Sequence, residues 1–179
     1  MLIIDLLLQH NRDRPNSTAI LDGDCSITYS ELLSQVLETS KALISKGISP
    51  GDRIATIAPP CLGYWVIFLA TTTIGAEWVG LNPRYQRREY KFFIEDACPK
   101  MIFTFSPYDG RDYQKELEVI LTDTDTVEQP EVLVFSNTNF NQSLFGLFMK
   151  REDESVAHQT LESRIQAVGE HNTAAIVYT

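Results

Sequence analysis

The chain has 179 residues, 44% hydrophobic and 22% charged, which suits one globular domain or a large part of a bigger one. Its 24 acidic and 15 basic side chains leave a formal net charge of −9, and no basic stripe runs along it, which excludes an electrostatic nucleic-acid binder. No window approaches the ~18 apolar residues of a membrane span, and the run MLIIDLLLQH makes a poor signal peptide: Asp5 breaks it, no basic residue leads it and no small-residue cleavage site follows.

In chain order, residues 2–10 space Leu2, Ile3, Leu6 and Leu7 as a short amphipathic helix ending near Asn11, before Pro15. Residues 18–21 and 26–29 flank Asp22-Gly23-Asp24, a hairpin signal. Thr28-x-x-Glu31 forms a capping box, because each side chain can satisfy the other residue's backbone N–H. The helix it opens carries Leu32, Leu33, Val36, Leu37, Leu43 and Ile44 on one face and stops at Gly47. Pro50-Gly51-Asp52 then turns the chain into a strand at 53–58.

Pro59-Pro60 ends that strand. Residues 62–74 are apolar nearly all round, as in a helix buried on several sides. A short strand at 77–81 ends at Asn82-Pro83. Residues 86–97 put Tyr90, Phe93, Ile94 and Ala97 at helical spacing, with charges outside. Pro99 precedes a strand at 100–105. Strands alternating with helices, with no hairpin turn between them, require parallel pairing through right-handed crossovers.

Beyond 105, helix is expected at 113–121 and a buried strand at 131–135, separated by an acidic loop at 122–130. Residues 136–141 read as loop, 144–148 as apolar without clear period, and 150–155 as a solvated charge run. A short helix is expected at 161–168 and a last β-branched run at 173–178. The fold class is α/β: a mainly parallel sheet with helices on both faces, plus a small N-terminal β-hairpin.

The residues alone show no active site. There is no G-x-G-x-x-G, no phosphate-loop signature, no G-x-S-x-G and no H-E-x-x-H. His10, His158 and His171 are isolated, with His158 and His171 in polar, solvent-facing surroundings. Turn formation accounts for Asp22, Asp24 and Asp52 beside glycines. Trp65 and Trp78 suit core packing better than a pocket wall. Cys25, Cys61 and Cys98 are too far apart for a zinc or redox motif, and read as buried or half-buried thiols in a reducing cytosol.

Several segments together resemble the N-terminal part of the AMP-forming adenylating enzymes, which include acyl-CoA synthetases, peptide-synthetase adenylation domains and luciferases. Ile27-Thr28-Tyr29-Ser30-Glu31-Leu32 resembles L-T-Y-x-E-L. Gly51-Asp52-Arg53-Ile54-Ala55 resembles G-D-R-V-A, with the proline turn Ala58-Pro59-Pro60 after it. Ile74-Gly75-Ala76 through Val79-Gly80-Leu81-Asn82-Pro83-Arg84-Tyr85 resembles A-G-A-x-x-x-P-L-N-P-R-Y, with Gly80 in place of the usual proline. Order and spacing match from about residue 5 to 105, and more loosely to 179. The L-N-P-R-Y wording leans toward acyl-CoA synthetases. Ala174-Ala175-Ile176-Val177-Tyr178-Thr179 resembles the strand that enters the family's Ser/Thr/Gly-rich ATP loop.

The resemblance implies a whole enzyme that joins a carboxylic acid to ATP as acyl-AMP and then to a thiol, with ATP, Mg2+ and CoA as cofactors. It implies that residues 1–179 are a partial N-terminal AMP-binding domain ending at the start of the ATP loop. Thr179 would form the edge of the ATP site. No catalytic residue and no metal ligand carries over, so the segment is expected to be inactive alone, to bind none of these ligands tightly, and to be cytoplasmic. Its expected partners are the carboxylic acid substrate and, through uncovered sheet surface, the rest of the enzyme or a second copy. A different expectation is a stand-alone, non-catalytic or degenerate α/β module that works by association with a partner chain.

Overall fold

A computed structural model describes residues 2–124, 128–136 and 154–178. In chain order the elements are α1 (Ile3–Asp13), β1 (Thr18–Asp22), β2 (Cys25–Thr28), α2 (Tyr29–Ser45), β3 (Arg53–Ile57), α3 (Leu62–Thr73), β4 (Glu77–Leu81), α4 (Arg87–Ala97), β5 (Met101–Phe105), α5 (Tyr113–Thr122), β6 (Glu131–Phe135), α6 (Glu154–Ala167) and β7 (Ala175–Val177).

β1 and β2 form an antiparallel hairpin turning at Gly23, whose φ of 59° suits a residue without a side chain. The main sheet has the order β6-β5-β3-β4-β7, with every neighbouring pair parallel. Ile54, Trp78, Met101 and Phe103 point to one face, where α1, α2, α3 and α6 cover them. Ala55, Ile57, Val79, Leu81 and Ile102 point to the other, under α4 and α5. β3, β4 and β5 are thus buried on both faces, which explains their near-continuous apolar runs.

The capping box forms as read: Thr28 N–H donates to Glu31 Oε2 at 2.8 Å, and Glu31 N–H donates to Thr28 Oγ1 at 3.3 Å. The Thr28 N–H first, and then the Thr28 hydroxyl donating to the same Oε2 at 2.9 Å, hold the Glu31 carboxyl below its ordinary range. At the other end of α2, Gly47 takes φ 81° and Lys46 reaches Glu131 at the start of β6, 2.7 Å away. Ser40 Oγ donates to the Ala70 carbonyl at 3.2 Å, pinning α2 to α3 inside the core.

The structure departs from the sequence reading in several places. Tyr29 opens α2 instead of closing β2, because its predecessor Thr28 is the cap. β6 is an edge strand with an exposed Glu131 and alternating burial, not a fully buried one, since among the described residues no strand lies beyond it. α6 begins at Glu154, well before the expected 161, and packs Leu161 into the core. Cys25 and Cys98 are exposed, and only Cys61 is buried. Trp65 is 43% exposed, on the outer side of α3, whereas Trp78 is buried. Residues 125–127 and 137–153 lie outside the described residues. With them go parts of the loops expected at 122–130 and 136–141, the apolar run 144–148 and the first part of the charged run 150–155.

Candidate functional site

In an open parallel sheet, ligands bind outside the carboxyl ends of the strands. There the structure has a cleft of about 440 Å³. The turn Ala58-Pro59-Pro60 after β3 forms one side and the segment Asn82–Tyr85 after β4 the other. Gly80, Tyr64, Tyr108, Val177 and Tyr178 complete the lining. Four tyrosines and three prolines make it stiff and amphipathic. A smaller groove of about 280 Å³ lies at the opposite end of the sheet, beside Leu2, Gly75 and Val168.

The wall after β4 is the Asn82-Pro83-Arg84-Tyr85 motif, and it is held from behind. Tyr90 Oη donates to the Asn82 carbonyl at 2.8 Å and Tyr113 Oη to the Pro83 carbonyl at 2.6 Å. Arg111 Nη1 donates to the Pro83 carbonyl at 2.7 Å and to the Tyr85 carbonyl at 2.9 Å. The other edge of that guanidinium grips Glu116 through two bonds of 3.0 and 2.6 Å. The fork holds Glu116 below the usual carboxylate range and Arg111 above its own. Burial pushes the Tyr90 and Tyr113 hydroxyls upward, so both stay protonated donors.

At the front of the wall, Arg84 N–H donates to Asn82 Oδ1 at 2.9 Å, a local Asx turn. This turn sets Arg84, which is exposed, on the rim of the cleft. Tyr85 Oη donates to the Tyr178 carbonyl at 3.3 Å, joining the wall to the end of β7. Tyr178 is itself anchored on α4: its ring lies 4.3 Å from that of Phe93, and its Oη donates to Asp96 Oδ2 at 2.7 Å. Burial, with help from Asp96, pushes the Tyr178 hydroxyl up to about 12.

Thr179, the one site residue expected from the sequence, lies outside the described residues; its neighbour Tyr178 closes the cleft. Arg84 and Tyr85 stood in a motif recognised from the sequence without a role being attached to them. Arg111, Tyr113 and Tyr90 were missed as wall supports. A local signal existed for Arg111: Asp109 and Gly110 both take positive φ, and Tyr108 and Arg111 exchange two backbone bonds of 3.0 Å across that tight turn. His171 is exposed. Among the described residues no group of His, Cys, Asp and Glu could hold a metal ion, and the cleft lining contains no carboxylate.

A parallel sheet between two helical layers, with a tyrosine-lined cleft at its carboxyl ends, defines a doubly wound α/β domain. The chain belongs to the AMP-binding enzyme family, whose model matches residues 7–179. Tyrocidine synthase 3 of Brevibacillus parabrevis is 27% identical over 117 residues, 65% of this chain and 2% of that protein. The fatty acyl CoA synthetase of Mycobacterium tuberculosis shares the fold with a TM-score of 0.73 at 18% identity, over 99% of this chain and 32% of that one. ATP-bound MatB from Rhodopseudomonas palustris does so with a TM-score of 0.69 at 22% identity, over 100% of this chain and 32% of that one. The chain spans between 2% and 12% of the length of the curated relatives it matches. No helix among the described residues is long and apolar enough to cross a membrane.

Proposed function

We propose that this chain is the N-terminal part of the AMP-binding domain of a cytoplasmic, ATP-dependent acid–thiol ligase of the acyl-CoA synthetase type. The observation that carries this is the cleft: the N-P-R-Y wall and the end of β7 meet in it, and Tyr178 stands one residue before Thr179. In the whole enzyme a carboxylate oxygen attacks the α-phosphorus of ATP and the bond to pyrophosphate breaks, giving acyl-AMP. A thiol sulfur then attacks the acyl carbon and AMP leaves. Activation is needed because a bare carboxylate is a poor electrophile.

This chain contributes the sheet that carries the cleft, one rigid wall, and a guanidinium at Arg84 able to face an anionic ligand. Thr179 would place its backbone N–H and hydroxyl at the edge of the ATP site. The described cleft residues offer Mg2+ no carboxylate, so the ion does not find its ligands here. No residue of the chain is assigned a covalent or proton-transfer role, and the chain alone forms no acyl-AMP.

The matched curated relatives include peptide synthetases, and the shared folds include a fatty acyl CoA synthetase. Both classes support carboxylate adenylation; the L-N-P-R-Y wording favours CoA as the acceptor. The test is thioester formation by the enzyme containing this chain, with CoA set against a phosphopantetheinyl carrier protein. Thioester on CoA supports the acyl-CoA reading, and transfer to the carrier alone removes it.

One observation favours a second reading, a non-catalytic module that works by association. Among the described residues β7 is the last strand of the sheet, and on its α3 side Ala175 is exposed and Val177 is 70% exposed. Sedimentation of the 179-residue chain tests it: self-association or capture of the rest of an adenylating enzyme supports the module, and a persistent monomer counts against it.

A further inference from the structure

Arg111 makes more directed contacts with the cleft wall than any single contact would need to stabilise a loop. One edge of its guanidinium chelates the Pro83 and Tyr85 carbonyls, and the other takes both oxygens of Glu116. Its Cζ lies 4.7 Å from the centre of the Tyr113 ring and 5.8 Å from that of Tyr90. Both rings send their hydroxyls to the same wall. Glu116 also faces Arg87, 3.8 Å away on α4. A lysine keeps the charge but has neither the plane nor two donor edges, so it cannot hold two carbonyls and a carboxylate together.

The wall does not end at itself. Tyr85, whose carbonyl Arg111 holds, sends its own hydroxyl to the carbonyl of Tyr178. We infer that Arg111 is a positioning residue of the cleft: through Tyr85 it fixes the end of β7 at Tyr178, where the cleft closes. This presupposes the nucleotide cleft proposed above. Arg111 lies behind the wall, only partly accessible, and so acts through Tyr85 rather than on a ligand. The result is a site whose geometry is set before a nucleotide arrives.

The test uses Arg111→Lys and Tyr85→Phe in the enzyme containing this chain, read by carboxylate-dependent ATP–pyrophosphate exchange. Tyr85→Phe keeps the ring among Tyr90 and Phe93 and removes only the link to Tyr178. Both variants should raise the KM for ATP, Arg111→Lys by about tenfold, with kcat within about twofold. Amide hydrogen exchange on the same proteins should speed up at Arg84, Tyr85 and Tyr178 while β3 and β5 keep their protection. An unmoved ATP KM in Tyr85→Phe overturns the inference, and so does a fall in kcat and thermal stability together at constant KM. If the unmodified enzyme shows no ATP-dependent exchange, the reading of the cleft fails by itself. The amide exchange then decides the clamp: local acceleration supports it, and uniform or absent acceleration overturns it.

Discussion

The indole of Trp78 lies across Gly80, the next residue on the same face of β4. A β-carbon at position 80 would sit 2.3 Å from Trp78 Cη2, far closer than two carbon atoms can approach. The ring has nowhere to go. Its Nε1–H donates to Thr56 Oγ1 at 3.0 Å, and Tyr64 and Phe68 pack edge-on to it at 5.1 Å. Glycine at 80 is therefore required by this tryptophan, and the two positions act as a pair. Gly80→Ala should cost about 1–3 kcal/mol in urea denaturation. The cost should shrink by about 1 kcal/mol or more when Trp78→Ala is made first. Additive effects in the double variant would show that the contact is not the cause.

Asp22 does more than turn the hairpin. Its Oδ2 accepts from the Leu62 backbone N–H at 2.9 Å, so the β1–β2 hairpin caps α3 from 40 residues away. The α3 N-cap, Cys61, makes no side-chain cap hydrogen bond, and the Asp22 carboxylate is the side-chain partner of the Leu62 N–H. Asp22→Ala should lower stability by about 0.5–2 kcal/mol with an unchanged denaturant slope, and Asp22→Asn by less. Equal stability of Asp22→Ala and the parent chain would show that water caps α3 equally well.

The Arg111–Glu116 fork makes stability depend on acid. The Glu116 carboxyl is held down chiefly by its hydrogen bonds from Arg111. A lowered folded-state value means stabilisation present above the ordinary glutamate value of about 4.3 and lost as the pH falls through the folded value. Glu116→Gln should be less stable than the parent at pH 7, and the gap should narrow as the pH falls below the ordinary glutamate value of about 4.3. Thermal melts from pH 7 to pH 3 read this directly; a gap that stays constant would remove Glu116 from the acid response.

Tyr178 gives the opposite sign. Its hydroxyl is raised to about 12, first by burial and then by Asp96. A raised folded-state value gives stabilisation present below the ordinary tyrosine value of about 10, lost as the pH climbs toward 12. Difference absorbance of tyrosinate should lose one late-titrating hydroxyl in Tyr178→Phe, and that hydroxyl should titrate earlier in Asp96→Asn; an unchanged late phase in Tyr178→Phe would contradict this.

Local contacts were legible in the sequence and distant ones were not. Thr28 and Glu31 are three residues apart, and their bonds follow from helix geometry alone. The hairpin at Gly23 and the runs that became β3, β4 and β5 are also short-range patterns, and apolar runs between helical segments imply parallel pairing. The two tryptophans show where this stops. Both are large and apolar, yet Trp65 is on the outer side of α3 and Trp78 is buried on β4, and only the assembled layers separate them. Arg111 meets Pro83 and Tyr85 across 28 and 26 residues, a distance no spacing rule reaches. The helix that opens at Glu154 carries a weak amphipathic pattern, so only its Leu161 end was visible.

The central claim is that this chain provides a scaffold and one wall of an adenylating cleft, with the reacting groups supplied from elsewhere in the enzyme. Carboxylate-dependent exchange of labelled pyrophosphate into ATP measures it most directly. The account predicts no exchange above background from the 179-residue chain alone, and exchange from the enzyme in which the chain continues through the phosphate-facing segment. Exchange by the isolated chain would contradict it, because the catalytic groups would then have to lie within these residues.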